Sequence, residues 1–318
     1  MLVLGEETKP EIFNGLYELS LDGSYYMHPK IEKVENYTDG YINGTDQKNC
    51  VVILSDRYYH TFMQSLGIIL QEFKKDNSIN FYIIQGSPGN HLFETHILFF
   101  AKVLRLSGIK YKLIDLGAYT INNEKFLIKD FYYYSYPQLT DTFVKEIYDV
   151  SRQYQFDGEP FRKVYCSRKK TKYKTGAAIL GDKDPNTLPI KDDSQRVSDE
   201  LALEQYFLSH GFEIVYPEDF LCFEDQIKYF SSVKTLISTT SAGLTNMCFM
   251  KDKTQVIEIT IPMLVQGKIT LHGHYASIAW AKKLVYFSIP SMRSTEDVID
   301  TIKNNPILLS LISEETNG

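Results

Sequence analysis

From Val51 onward, short apolar runs alternate with stretches in which apolar residues recur every three to four positions. Val51-Val52-Ile53-Leu54 is a continuous apolar run of strand length, and Phe62, Leu66, Ile69, Leu70 and Phe73 then fall on one face of a helix within residues 57–75. Asn80-Phe81-Tyr82-Ile83-Ile84 predicts the next strand, residues 91–106 a helix, and Tyr111-Lys112-Leu113-Ile114 a third strand. Two short extended segments, 126–128 and 131–134, and a helix over 138–154 close this half. The polar stretch Gln155-Phe156-Asp157-Gly158-Glu159-Pro160 reads as a linker. A second series starts with the strand Lys163-Val164-Tyr165-Cys166-Ser167-Arg168. A long polar segment, 169–193, follows and reads as a functional loop. Helices are then predicted over 198–209, 223–231, 272–281 and 294–311, with strands over 213–216, 235–237, 255–260 and 284–288.

Strands alternating with helices imply parallel sheets covered on both faces, an α/β fold. The 318 residues exceed the usual size of one core, so two domains are expected. The division expected is an irregular or short-stranded leader over 1–50, a Rossmann-like domain over 51–155, a second over 161–290, and a C-terminal helical segment, 291–318, packing back on the first domain. Ligands of such sheets bind outside the carboxyl ends of the strands, which places a site in a cleft between the two domains.

One stretch carries the chemistry. Ser238-Thr239-Thr240-Ser241-Ala242-Gly243-Leu244-Thr245-Asn246 lies between a strand and an apolar run, Met247-Cys248-Phe249-Met250, that reads as a continuing helix. Small residues between a strand and a helix N-terminus let an anion reach unpaired N–H groups, so the stretch suits a phosphorylated ligand. Ser-Ala-Gly also makes an ordinary tight turn, and the residues alone leave both readings open.

Composition narrows the field. A net charge of −6 and a pI near 5.7 argue against a nucleic-acid surface, and the basic cluster of Arg168, Lys169, Lys170, Lys172 and Lys174 is local. Cys50, Cys166, Cys222 and Cys248 lack metal-ligand spacing and read as buried thiols; no metal and no cofactor are expected. The N-terminus has neither the basic region nor the apolar length of a signal peptide, and no window reaches membrane-span length. A cytoplasmic protein without an integral membrane segment is the expectation.

The strand Lys163–Arg168 is followed by Ser209-His210-Gly211-Phe212-Glu213-Ile214-Val215-Tyr216-Pro217-Glu218, then by Phe223-Glu224-Asp225-Gln226-Ile227, Ala242–Asn246 with Phe249-Met250, and Val256-Ile257-Glu258. In order and spacing these pieces resemble the donor-side half of glycosyltransferase family 61. Arg57-Tyr58-Tyr59-His60 is similar to that family's aromatic-aromatic-His motif at a helix start. The resemblance covers residues 163–260 strongly and 51–75 more weakly. It implies a GT-B architecture, two Rossmann-like domains facing across a cleft. It further implies inverting transfer of a sugar from a nucleotide-sugar, usually a UDP-sugar, to a glycan or glycoconjugate hydroxyl, without an obligatory metal. Where many members have Pro-His-Gly-Ala-Gly, this chain has Thr239-Thr240-Ser241-Ala242-Gly243. Thr240 thus replaces a His that would contact the donor pyrophosphate, although a hydroxyl can still donate to phosphate.

Residue roles follow from the required chemistry. Arg168 stands directly after a buried strand, where a guanidinium can hold two phosphate oxygens in a fixed fork. The alternative is a surface Arg capping the strand; the resemblance favours the donor role. Thr240, Ser241, Ala242, Gly243, Leu244, Thr245 and Asn246 would surround the same diphosphate with N–H groups and hydroxyls, with Lys172 as a weaker candidate beside them. Glu258 near its strand end suits the ribose hydroxyls, or is a rim carboxylate. His60 is the candidate base, since histidine titrates near neutrality. Asp56 would orient it or replace it, or simply cap the helix while His60 packs on an aromatic neighbour. Two rivals belong to other classes. One is a catalytically degenerate nucleotide-sugar- or glycan-binding protein of the same fold, motivated by Thr240. The other, a nicotinamide-dependent oxidoreductase, lacks a Gly-x-Gly-x-x-Gly after any predicted strand.

Overall fold

The computed structural model describes residues 11–20, 30–33, 49–54, 63, 65–85, 100–115, 126–133, 141–169, 197–260, 263–265, 268–270, 274–291 and 294–313. The chain divides into two compact units, Met1–Ile147 and Tyr148–Gly318. Both are mixed α/β with parallel strand pairing.

In the first unit, β1 (Glu11–Ser20), β2 (Lys30–Lys33), β3 (Asn49–Leu54), β4 (Asn80–Gln85), β5 (Tyr111–Asp115) and β6 (Phe126–Tyr133) form one sheet in the order β2-β1-β6-β3-β4-β5. β6, β3, β4 and β5 run parallel, while β1 and β2 add an antiparallel edge. The ten-residue β1 lies where the sequence predicts an irregular or short-stranded leader. Its register shifts between Phe13 and Leu16, across Asn14-Gly15, and such a bulge breaks the period-two pattern that would have announced the strand. The two extended segments predicted over 126–134 are a single strand, because pairing with β1 carries the backbone through Lys129. Helix α1 (Gly67–Lys75) buries Ile68, Ile69 and Leu70, and its last turn carries Lys74 and Lys75, which suit the negative end of the helix dipole. α2 (Asp141–Ser151) carries the chain across the division after Ile147, with Val144 and Ile147 buried.

The second unit is built on five parallel strands: β7 (Arg162–Cys166), β8 (Glu213–Val215), β9 (Val233–Thr239), β10 (Gln255–Thr260) and β13 (Val285–Pro290). Their order, β13-β10-β9-β7-β8, reverses direction between β7 and β9. β9 and β10 are buried almost end to end, as expected of strands covered on both faces. On one face Tyr165, Ile237, Ile257 and Ile259 pack with Leu203 and Phe207 of α3 (Glu200–Ser209), and Tyr165 and Phe207 stack with ring centroids 4.7 Å apart. Alternate positions such as Leu236 and Val256 are buried on the opposite face. α4 (Phe223–Ser231) packs there through Phe223, edge-on to Phe249 at 5.7 Å. A small antiparallel pair, β11 (Met263–Val265) and β12 (Lys268–Thr270), and α5 (His274–Ala281) lead to β13.

The C-terminal segment, predicted as one helix, is two: α6 (Thr295–Asn304) and α7 (Pro306–Ser313). Pro306 cannot continue α6, but its fixed φ suits the first position of α7. The Asn305 side chain caps that helix, accepting from the N–H groups of Ile307 (3.0 Å) and Leu308 (3.2 Å). Val298, Ile302, Leu308 and Ile312 of this segment, expected against the first domain, are buried in the second unit's own core. Among the described residues no helix is long and apolar enough to cross a membrane.

Candidate functional site

The reversal of strand order puts the carboxyl ends of β7 and β9 side by side. Open α/β sheets bind ligands at such a point. β7 delivers Arg168 two residues past its end, and β9 delivers Thr240-Ser241-Ala242-Gly243. The Arg168 guanidinium donates from Nη1 to the Thr240 carbonyl at 3.1 Å, so the two strand ends are joined by the side chain predicted to hold phosphate.

The turn after β9 is fixed by short polar contacts. The Thr240 N–H donates to the Ile259 carbonyl at 2.9 Å, and its hydroxyl donates to Glu258 Oε1 at 2.6 Å. The other Glu258 oxygen accepts from the Tyr286 hydroxyl. Glu258 is wholly buried, and Thr240 only 6% exposed. Each carboxylate oxygen of Glu258 meets a protein donor, and its complete burial leaves it no face open to a ribose hydroxyl. Burial and the facing carboxylate push the Tyr286 hydroxyl well above the ordinary tyrosine range. Ser238 donates to the Cys166 carbonyl at 2.7 Å and lies 3.3 Å from the Ser241 hydroxyl. Burial, followed by the charge of Glu218, raises the Cys166 thiol, which stays protonated at neutral pH.

Beyond Ser241 the chain forms a 3₁₀ helix, Ala242–Phe249, where the sequence predicts the start of an α-helix. This segment is buried nearly all round, and the tighter winding brings a carbonyl to each N–H three residues on. Leu244 is the first to pair, donating to the Ser241 carbonyl at 3.0 Å. Its N–H is therefore committed, and Ala242 and Gly243 are the positions whose N–H groups have no intrahelical partner. Gly243 lies where a side chain will not fit: an added Cβ would stand 2.7 Å from the Cys166 sulfur. Leu244, Thr245 and Asn246 are fully buried. Asn246 braces the turn from within, donating to the Gly243 carbonyl at 2.9 Å and accepting from Gln226 at 2.6 Å.

Of the residues predicted for this site, Arg168 and the stretch from Thr240 to Asn246 come together, with Glu258 behind them. His60, Asp56 and Lys172 lie outside the described residues. Sequence reasoning missed Tyr286, which reaches Glu258 from a neighbouring strand, and Glu204, a carboxylate only 5% exposed. A glutamate between Leu203 and Phe207 on an otherwise core-facing stretch was the available signal for the latter. Among the described residues no group of three or more His, Cys, Asp and Glu is arranged to hold a metal ion.

Comparison with known proteins gives the family. The sequence profile described as Glycosyltransferase 61 matches residues 48–257, more than half of the chain and including both strand ends of the site. The chain belongs to glycosyltransferase family 61 and is a glycosyltransferase. A search of curated proteins found no match.

Proposed function

We propose that this protein is an inverting transferase that moves a sugar from a nucleotide-sugar, most simply a UDP-sugar, to a hydroxyl of a glycan or glycoconjugate. Its two units would form a GT-B pair, with the acceptor on the domain beginning at residue 51 and the donor on the domain beginning at residue 161. The observation that carries the reading is Arg168 at the strand-order reversal, bonded to the carbonyl of the turn that opens the 3₁₀ helix.

The acceptor oxygen attacks the anomeric carbon as the bond from that carbon to the diphosphate oxygen breaks. The acceptor proton passes to a base, for which His60, with Asp56 beside it in sequence, is the candidate. The bonding pair leaves with the nucleoside diphosphate, whose added negative charge Arg168 offsets. The N–H groups of Ala242 and Gly243 and the Ser241 hydroxyl lie next to that charge. No metal is required in this scheme, because the guanidinium supplies the positive charge. Glu258 enters at one remove: it orients Thr240, whose carbonyl in turn holds Arg168.

The test is a donor-hydrolysis and transfer assay with UDP-, GDP- and CMP-linked sugars and simple glycans, with the anomer of the product resolved. Turnover of a UDP-sugar with inverted product, abolished in His60→Ala, is the expected result. Tight UDP binding without turnover under any acceptor, or a retained anomer, would overturn it.

A further inference from the structure

The helix following the site carries two carboxylates that the proposed chemistry does not use. Glu200 and Glu204 stand one turn apart on α3, so they share a face. Glu200 Oε1 accepts from the Tyr165 hydroxyl at 2.7 Å and from the backbone N–H of Arg168 at 3.1 Å. Glu204 Oε1 accepts from the Ser167 hydroxyl and from the Tyr216 hydroxyl, both at 2.7 Å. Its other oxygen faces the Lys169 ammonium at 3.6 Å. Residues 165, 167, 168 and 169 are therefore all held by two side chains of one helix.

The location of this clamp gives it meaning. Burying a carboxylate is costly unless donors surround it, and Glu204 spends its charge on hydroxyls and an ammonium. These donors flank Arg168 on both sides, and Glu200 holds its backbone directly. The Arg168 side chain then leaves a fixed Cα and reaches the Thr240 carbonyl. A guanidinium on a loose strand end would first have to be ordered by the anion it binds, which weakens binding. Both carboxylates are engaged by protein donors, which suits a supporting role and not proton transfer.

We infer that Glu200 and Glu204 are positioning residues for the donor diphosphate, acting through Arg168 without touching the ligand. The inference rests on the donor-site reading given above. A carboxylate that merely staples helix to strand would lower stability alone, and its effect on binding would not depend on Arg168.

Calorimetric titration of UDP into wild type, Glu204→Gln, Arg168→Ala and the double variant separates the two, with Glu200→Gln in a parallel set. Glu204→Gln should weaken UDP about ten-fold in the wild-type background and less than about two-fold once Arg168 is gone, the signature of coupled sites. Should Glu204→Gln fail to fold, Ser167→Ala takes its place in the same cycle, with an expected loss of about three-fold. Equal losses in both backgrounds, or no loss with Arg168 intact, would overturn the positioning role while leaving the donor site standing. A wild type that binds no nucleotide would instead remove the donor site, and the clamp's role with it.

Discussion

Gly243 packs against Cys166, so the turn after β9 lies on the end of β7 with no room for a side chain between them. Adding one methyl group at 243 places it 2.7 Å from a buried sulfur that has little room to retreat. Gly243→Ala should destabilise the protein by about 1–3 kcal/mol and weaken UDP binding at least about ten-fold. Cys166→Ala in the same chain should recover a large part of both losses. Denaturant unfolding and calorimetry of the single and double variants check this, and a Gly243→Ala protein with unchanged affinity would refute the close-approach argument. Glu258 offers a second residue-scale test. Tyr286→Phe deprives one buried carboxylate oxygen of its donor and should cost about 1–3 kcal/mol in the same unfolding assay.

At the scale of elements, the second unit was largely legible because its strands are continuous apolar runs and its turns carry small residues. β7, β9 and β10 and the intervening helices lie close to where hydrophobic spacing put them. The departures have local causes. β1 escaped because a bulge interrupts its alternation, and the single C-terminal helix divides at Asn305-Pro306. The 3₁₀ form of residues 242–249 escaped because a segment buried nearly all round carries no amphipathic period to read. Within the site, Arg168 and the Thr240–Asn246 stretch were legible from their place after strands. The Glu200–Glu204 clamp and Tyr286 were not, since their meaning lies in donors from other elements. The Asn305 cap predicts that Asn305→Ala loses about 1 kcal/mol, measurable by urea unfolding, because two N–H groups at the start of α7 lose their acceptor.

At the scale of the molecule, the tyrosines set an alkaline limit. Tyr165, Tyr216, Tyr229 and Tyr286 are all raised from the ordinary value of 10.0, first by burial and then by neighbouring carboxylates, Tyr216 to about 12. Above pH 10 the unfolded chain has released these protons while the folded one keeps them, so the unfolded state binds fewer protons. Their stabilising contribution is thus complete below pH 10 and declines as pH rises above it, that of Tyr216 through about 12. Melting temperature measured across this range should fall, and Tyr216→Phe should flatten part of the slope.

The chain is a glycosyltransferase of family 61, and the donor site we propose for it lies at the strand-order reversal of the second unit, beside Arg168. Family membership alone does not say that this chain binds a donor there, with Thr240 in place of histidine and its hydroxyl turned to Glu258. The measurement that decides is a calorimetric titration of UDP into wild type and Arg168→Ala. Saturable binding by wild type, weakened about thirty-fold or more in the variant, is the outcome expected when a charge-assisted phosphate contact is removed. Equal affinity in the two proteins, or no binding by either, would contradict it.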